Sequence, residues 1–311
     1  MKVYINGTLY DKDDAKISVF DHGLLYGDGV FEGIRLYNGR IFKCAEHLDR
    51  LYRSAHYIML ELPWSRDEMR AAMIATVRAN ELRDGYIRLI VTRGPGSLGL
   101  NPFRCVEPQL IIIAGTITLY PEELYAHGMG IISVASRRTD EATMSPQVKS
   151  LNYLNNIMAK IEALNAGFEE AVMLNRAGEV AECSGDNVFI VRDGAVITPP
   201  THVGALQGIT RDVVIQIARQ KGVAVREETI TRYALYCADE CFLCGSAAEV
   251  IPVIAIDGRT IGAGTPGPLT TMLIGEYRAL AHSTGTDVYA TEDECVASSA
   301  TNATRRSTTR K

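Results

Sequence analysis

The stretch "QVKSLNYLNN", residues 147–156, puts Lys149 where an alternation of apolar and polar residues gives way to helical spacing, with Tyr153 four residues later. The helix pattern runs on through "LNYLNNIMAKIEALNAG" and closes at Gly167. Residues four apart share one side of a helix, so the two side chains belong to the same neighbourhood. A lysine can decorate a helix start without any task. One set before an apolar helix, away from a solvated face, is a candidate for a depressed pKa and a neutral amine able to attack a carbonyl.

The chain before this point reads strand, strand, loop, helix. "KVYINGTLY" carries the hairpin signal Asn6-Gly7, and "EHLDRLYRSAHYIML" has apolar residues at helical spacing. The helix "SRDEMRAAMIATVRANEL" and the strands "YIRLIVTRG" and "PQLIIIAGTI" follow. Pro121 and the glycine-rich segment after it mark a linker at 120–129 between a unit at 1–119 and one at 130–290.

The second unit opens with the strand "GIISVASRRT". After the Lys149 helix come strands read as "EAVMLN", "VAECSGDNVFIV" and "AVITPP", the helix "GITRDVVIQIARQKG", the strands "VAVREETI" and "ECFLCGSAAEVIPVIAIDG", and the helix "GPLTTMLIGEYRALAHS". The expected fold is α/β (α+β), two domains with a cleft between them. The basic, Ser/Thr-rich tail 291–311 has no periodicity and reads as disordered.

Composition excludes several classes. A net charge of −5 asks for no nucleic-acid partner, and the longest apolar run, "LIIIA" at 110–114, is far too short to span a bilayer. The N-terminus lacks the pattern of a secretory signal, and seven scattered cysteines suit a reducing compartment, so a cytoplasmic location is expected. Cys241 and Cys244 form a C-x-x-C, but on a strand their side chains point to opposite faces. They read as structural thiols, and no metal site is expected.

Two further groups could carry chemistry. Glu182 in "EVAECSGDNVFI" is a carboxylate within a run of apolar and small residues, which calls for a cationic or protonated partner: an arginine, or a pyridinium nitrogen. "GALQGITRDVV" places Gly208, Ile209 and Thr210 at a helix start, where free N–H groups and the helix dipole favour an anion, unless Thr210 is simply a cap. Gly245 and Ser246 offer a similar turn, and Arg50 could add positive charge. Lysine, carboxylate, phenol and anion cradle together match the needs of one cofactor, pyridoxal phosphate.

The sequence resembles the class IV pyridoxal-phosphate aminotransferases, and within them the branched-chain amino acid aminotransferases. Seven ordered blocks carry the resemblance: "FDHGLLYGDGVFEGIR" (20–35), "EHLDRLYRSA" (46–55), "YIRLIVTRG" (86–94), "VKSLNYLNN" (148–156), "AECSGDNVF" (181–189), "GITRD" (208–212) and "GSAAEV" (245–250). It implies fold type IV, with the cofactor in the interdomain cleft and a pseudo-barrel second domain.

The resemblance makes Lys149 the Schiff-base lysine and proton shuttle, and Glu182 the partner of the pyridine nitrogen. Tyr153 becomes the partner of the ring hydroxyl, and Arg50, Ile209, Thr210 and Ser246 the phosphate site. It further implies a substrate pocket of Tyr26, Phe31, Tyr86, Arg88, Leu100 and Ala247, with Tyr26 and Leu100 supplied by the partner subunit of a homo-oligomer, a dimer or a hexamer. Arg88 would meet the side-chain carboxylate of glutamate.

The implied reaction moves an amino group between leucine, isoleucine or valine and 2-oxoglutarate. A D-amino-acid transaminase and an aminodeoxychorismate lyase share the resemblance as alternatives. Two departures stand out: Cys183 where the family usually has glycine, free either to crowd the cofactor ring or to pack, and Ser246 where threonine is common.

Overall fold

The computed structural model describes residues 1–290, so the tail expected to be disordered lies outside the described residues. Asn6 and Gly7 both take positive φ, 47° and 95°, and close the hairpin of Lys2–Ile5 and Thr8–Asp11. That hairpin sits at one edge of a seven-stranded antiparallel sheet. Its order is Thr286–Asp287, Arg40–Ile41, Gly29–Tyr37, Gly85–Thr92, Gln109–Gly115, Lys2–Ile5, Thr8–Asp11. The end of the described chain thus returns to the first sheet.

The strand Gly29–Tyr37 falls in the region the sequence reading passes over as loop, yet it is buried along nearly its whole length. The reason is its position between two layers, which removes the polar alternation of a half-exposed strand. Val30, Ile34 and Leu36 face the helices Cys44–Tyr57 and Arg66–Ala79, packing with Leu48, Leu51, Met73, Ile87 and Leu89. Phe31, Gly33, Arg35 and Tyr37 face the other way, toward the second sheet. The second helix starts at a capping box in which Ser65 and Glu68 bond each other's backbone.

Tyr120 and the short helix Glu122–His127 lead to a ten-stranded mixed sheet. Nine of its strands run in the order Val225–Glu227, Ala195–Thr198, Asn187–Arg192, Glu240–Gly245, Glu249–Ile256, Met129–Ser133, Ala171–Leu174, Glu179–Cys183, Ile230–Thr231, while Arg259–Thr260 pairs Glu249–Ile256. Helices Ile209–Gln220 and Pro268–Ser283 pack against it through Val213, Val214, Ile217, Leu273 and Tyr277.

Two segments read as single strands are each broken by a turn, "VAECSGDNVFIV" at 184–186 and "ECFLCGSAAEVIPVIAIDG" at 246–248. Both turns line the cleft described below. Cys241 and Cys244 are buried free thiols in different apolar clusters, as opposite faces of a strand require. Among the described residues, no helix is long and apolar enough to cross a membrane, and no group of three or more His, Cys, Asp or Glu side chains is gathered for a metal.

Candidate active site

A cleft opens between the two sheets, lined by Gly33, Arg50 and Tyr86 from the first and by Lys149, Glu182, Asn187, Ile209, Thr210, Ser246 and Ala247 from the second unit. Residues scattered over more than two hundred positions of chain converge there. Lys149 lies in the segment before the helix Leu154–Asn165, and its backbone is fixed by two bonds: its N–H donates to the Ser54 hydroxyl at 3.1 Å, and its carbonyl accepts from Phe31 N–H at 3.0 Å. The strand expected up to Lys149 is reduced to one bridge between Val30 and Ser150.

The Lys149 amine donates to the Tyr153 phenol at 2.9 Å and stands 4.6 Å from the centre of the Phe31 ring. The Tyr153 and Phe31 rings meet edge to face, 4.9 Å apart. On the Phe31 face lies the Arg88 guanidinium, 4.7 Å from the ring centre and 5.4 Å from that of Tyr86. Tyr153 does not line the main cleft; with Lys149 it borders a small adjoining cavity beside Arg138 and Asn156.

Glu182 is buried at the cleft wall. One carboxylate oxygen accepts from Arg138 Nε at 2.8 Å, and the other from the Leu206 N–H at 2.9 Å and Asn187 Nδ2 at 3.3 Å. A carboxylate offers about four acceptor positions, so these three donors leave room for one more. The arginine partner considered from the sequence is therefore real, and it leaves a position for a ring N–H as well.

At the other end, the helix Ile209–Gln220 begins in the cleft behind Gly208, with no side chain capping its free N–H groups. Thr210 is therefore not the cap. A Cβ on Gly208 would overlap the Asn187 side chain, so only glycine lets the helix end come this close.

Arg50 points into the same end, held in a buried cluster. Its Nε and Nη2 donate to the two oxygens of Glu32, each at 2.7 Å, its Nη1 to the Gln207 carbonyl at 3.0 Å, and His47 Nδ1 lies 2.7 Å from Glu32. Burial pushes the Glu32 carboxyl up, but the Arg50 guanidinium and then His47 override it and hold it at about 2. Burial likewise depresses His47 against the pull of Glu32, which makes the ring a neutral donor. Three of the five guanidinium N–H groups are taken by these partners, leaving two toward the cleft.

Glu32, His47, Arg138 and Asn187 also belong to the site, though the sequence does not single them out. Glu32 had a signal, the one charge between Gly29 and Ile34 of an apolar strand, and His47 and Arg50 stand three apart on a helix. Tyr26 and Leu100 are not brought to the cleft. Tyr26 donates to the Leu98 carbonyl on an outer lobe, and Leu100 is 78% exposed there. Cys183 points away from the cleft, buried among Ile131, Val172, Val188 and Leu243.

An amine with a phenol beside it, a carboxylate with one acceptor position left and an uncapped helix N-terminus with an arginine fit the aldehyde, hydroxyl, ring nitrogen and phosphate of pyridoxal phosphate. The family model described as Amino-transferase class IV matches residues 29–256. The chain is 48% identical over 289 residues, 93% of its length and 99% of the relative's, to a putative branched-chain-amino-acid aminotransferase of Methanocaldococcus jannaschii. It is 38% identical over 275 residues, 88% of its length and 93% of the relative's, to a D-alanine aminotransferase of Listeria innocua. The T.th. branched-chain amino acid aminotransferase complexed with N-(5'-phosphopyridoxyl)-L-glutamate is similar with a TM-score of 0.86 and 38% identity, over 90% of this chain and 94% of that one. The chain belongs to the class IV aminotransferases, pyridoxal-phosphate-dependent transaminases of fold type IV.

Proposed function

We propose that this transaminase moves the amino group between L-leucine, L-isoleucine or L-valine and 2-oxoglutarate, giving branched-chain 2-oxo acids and L-glutamate. The observation that carries the reading is the stack of Arg88 on Phe31 beside Lys149. Such a pocket has to accept an apolar side chain in one half-reaction and a carboxylate in the other. An aromatic face covered by a guanidinium offers both surfaces at one place. The similarity to the Methanocaldococcus jannaschii relative supports the same choice.

Pyridoxal phosphate, when bound, supplies an aldehyde that takes up the amino group and a ring that draws off negative charge from the substrate α carbon. In this reading Lys149 Nζ carries the proton to and from that carbon, and the Tyr153 phenol holds the amine in place. Glu182, paired with Arg138, accepts from the ring nitrogen. Arg50, the N–H groups of Ile209 and Thr210, and the Ser246 hydroxyl hold the phosphate. Tyr86 and Ala247 border the substrate, and Tyr26 and Leu100 close the pocket of a second copy in a homo-oligomer. One methylene in such a pocket is worth only about 1–3 kcal/mol, so the three branched-chain substrates should differ modestly.

The test is glutamate formation from L-leucine and 2-oxoglutarate by the purified holoenzyme, run beside D-alanine as donor. Turnover of L-leucine and not D-alanine is expected. The similarity to the Listeria innocua D-alanine aminotransferase favours the second reading, and turnover of D-alanine alone would establish it. Lys149→Ala should abolish transfer with either donor; retained activity would end the assignment of Lys149.

A further inference from the structure

The turn Ser246–Ala248 is closed by Gly245 and Glu249, which face each other in the hairpin of Glu240–Gly245 and Glu249–Ile256. Glu249 has φ 60°, a left-handed conformation that glycine adopts freely and a glutamate adopts only when its surroundings impose it. Its side chain shows what imposes it. One oxygen accepts from the Tyr37 phenol at 2.8 Å and from Arg35 Nη2 at 3.2 Å, and the other from Arg278 Nε at 3.3 Å.

These three partners come from two places. Arg278 lies on the last long helix, and Arg35 and Tyr37 belong to the strand Gly29–Tyr37 of the first sheet. On that strand Arg35 and Tyr37 share a face with Phe31 and Gly33, which border the lysine and the cleft. The carboxylate of Glu249 therefore ties the strand that forms one side of the substrate space to the turn that forms the other. Glu249 itself is 8% exposed, and the Nε of Arg35 is buried without a partner, so Glu249 is what anchors that guanidinium.

We propose that Glu249 is a positioning residue that sets the spacing between the Phe31–Gly33 strand and the Ser246–Ala247 turn, and through it the fit of the substrate. The inference rests on the reading that substrate lies between strand and turn. Glu249 does not line the cleft, and acts through the backbone of Ala247. The neighbouring Ala248 side chain is buried in the core and fixes the far end of the turn.

The experiment compares Glu249→Ala, Glu249→Gln and Glu249→Gly holoenzymes with the parent, using any donor that the parent turns over. The readouts are KM for donor and for 2-oxo acid, kcat, the visible absorbance of the bound cofactor, and Tm. Loss of a charge-assisted bond network of this kind should raise both KM values about tenfold in Glu249→Ala, with kcat changed less and the cofactor band unmoved. Glu249→Gln keeps an acceptor for Tyr37 and should recover part of the fit. Glu249→Gly relieves the backbone but lacks the carboxylate, so it should share the KM defect of the alanine variant while unfolding at a higher temperature.

Parental KM values in Glu249→Ala, whatever its Tm, would overturn the proposal. So would parental KM values in Glu249→Gly, because the defect would then come from strain and not from the tie. If the alanine variant does not fold, Arg278→Ala removes one arm from the outside and must raise KM in the same sense, or the proposal falls. A parent inactive with L-leucine but active with another donor would count against the branched-chain reading alone.

Discussion

Glu32, behind Arg50, and Asp186, in the lining of the same cleft, are both buried acids, and their surroundings drive them in opposite directions. Glu32 meets Arg50 and His47, and its carboxyl is held at about 2. Asp186 meets another acid. Burial first, and then the charge of Glu170, push its carboxyl up to about 7, with the Tyr120 phenol 3.3 Å from one of its oxygens. Glu170 accepts the N–H groups of Ala171 at 2.7 Å and Ser184 at 2.8 Å, with Lys160 3.9 Å away. Burial acts the same way on both acids, so the sign of the nearest neighbour decides which one ionises. The anion end of the cleft thereby keeps a fixed, pre-aimed guanidinium, while at the turn 184–186 burial and a second acid hold the Asp186 carboxyl up.

The largest effect is expected from Glu32→Leu, which strips a buried guanidinium of its partner. Removing one member of a buried pair typically costs about 3–5 kcal/mol, to be read from urea unfolding of the cofactor-free protein. Glu32→Leu combined with Arg50→Met should recover much of that loss, because no uncompensated charge remains. A double variant as unstable as the single one would mean that packing, not charge, holds the cluster. The pH dependence carries the same sign. The folded carboxyl lies below its unfolded value, so its contribution is present above about pH 4 and is lost as pH falls toward about 2.

Asp186→Asn tests the acid with the opposite shift. Its folded carboxyl lies above the unfolded value of about 4, so the stability it contributes is full below that pH and is lost as pH rises toward about 7. The groups facing it are Glu170, Tyr120, Lys160 and Glu182. Asparagine carries no charge at any pH. The Tm of the variant, relative to the parent, should therefore rise between pH 5 and pH 8; parallel curves would show that the two acids do not repel in the folded protein.

What the sequence made legible was local. Lys149 and Tyr153 are four residues apart, and Glu182 stands out in its apolar run. The helix behind Gly208 announces itself by composition, and all of these converge in the structure. What it left hidden depends on partners far along the chain: Glu32 meets Arg50 across 18 residues, Arg138 meets Glu182 across 44, and Glu249 meets Tyr37 across 212. No spacing rule reaches that far. The strand Gly29–Tyr37 escaped because burial on both faces erases alternation, and the turn at 184–186 because small residues fit a strand pattern as well as a turn, whereas the turn at Gly245 and Ser246 was legible from its small residues.

Cys183 gives the smallest expected effect and the sharpest separation of fold from site. It follows Glu182 directly on the strand Glu179–Cys183, so with Glu182 at the cleft wall the thiol must face the opposite side. There it is 1% exposed within an apolar cluster, and burial pushes the thiol well above its ordinary range. Removing a sulfur from such packing should cost about 1 kcal/mol in Cys183→Ala, seen as a lower urea midpoint. Cofactor affinity and the visible band of the bound cofactor should not move, since no atom of Cys183 borders the cleft. A change in the band without a change in stability would mean that the side chain acts on the cofactor through Glu182, and a residue that looks like packing would then belong to the site.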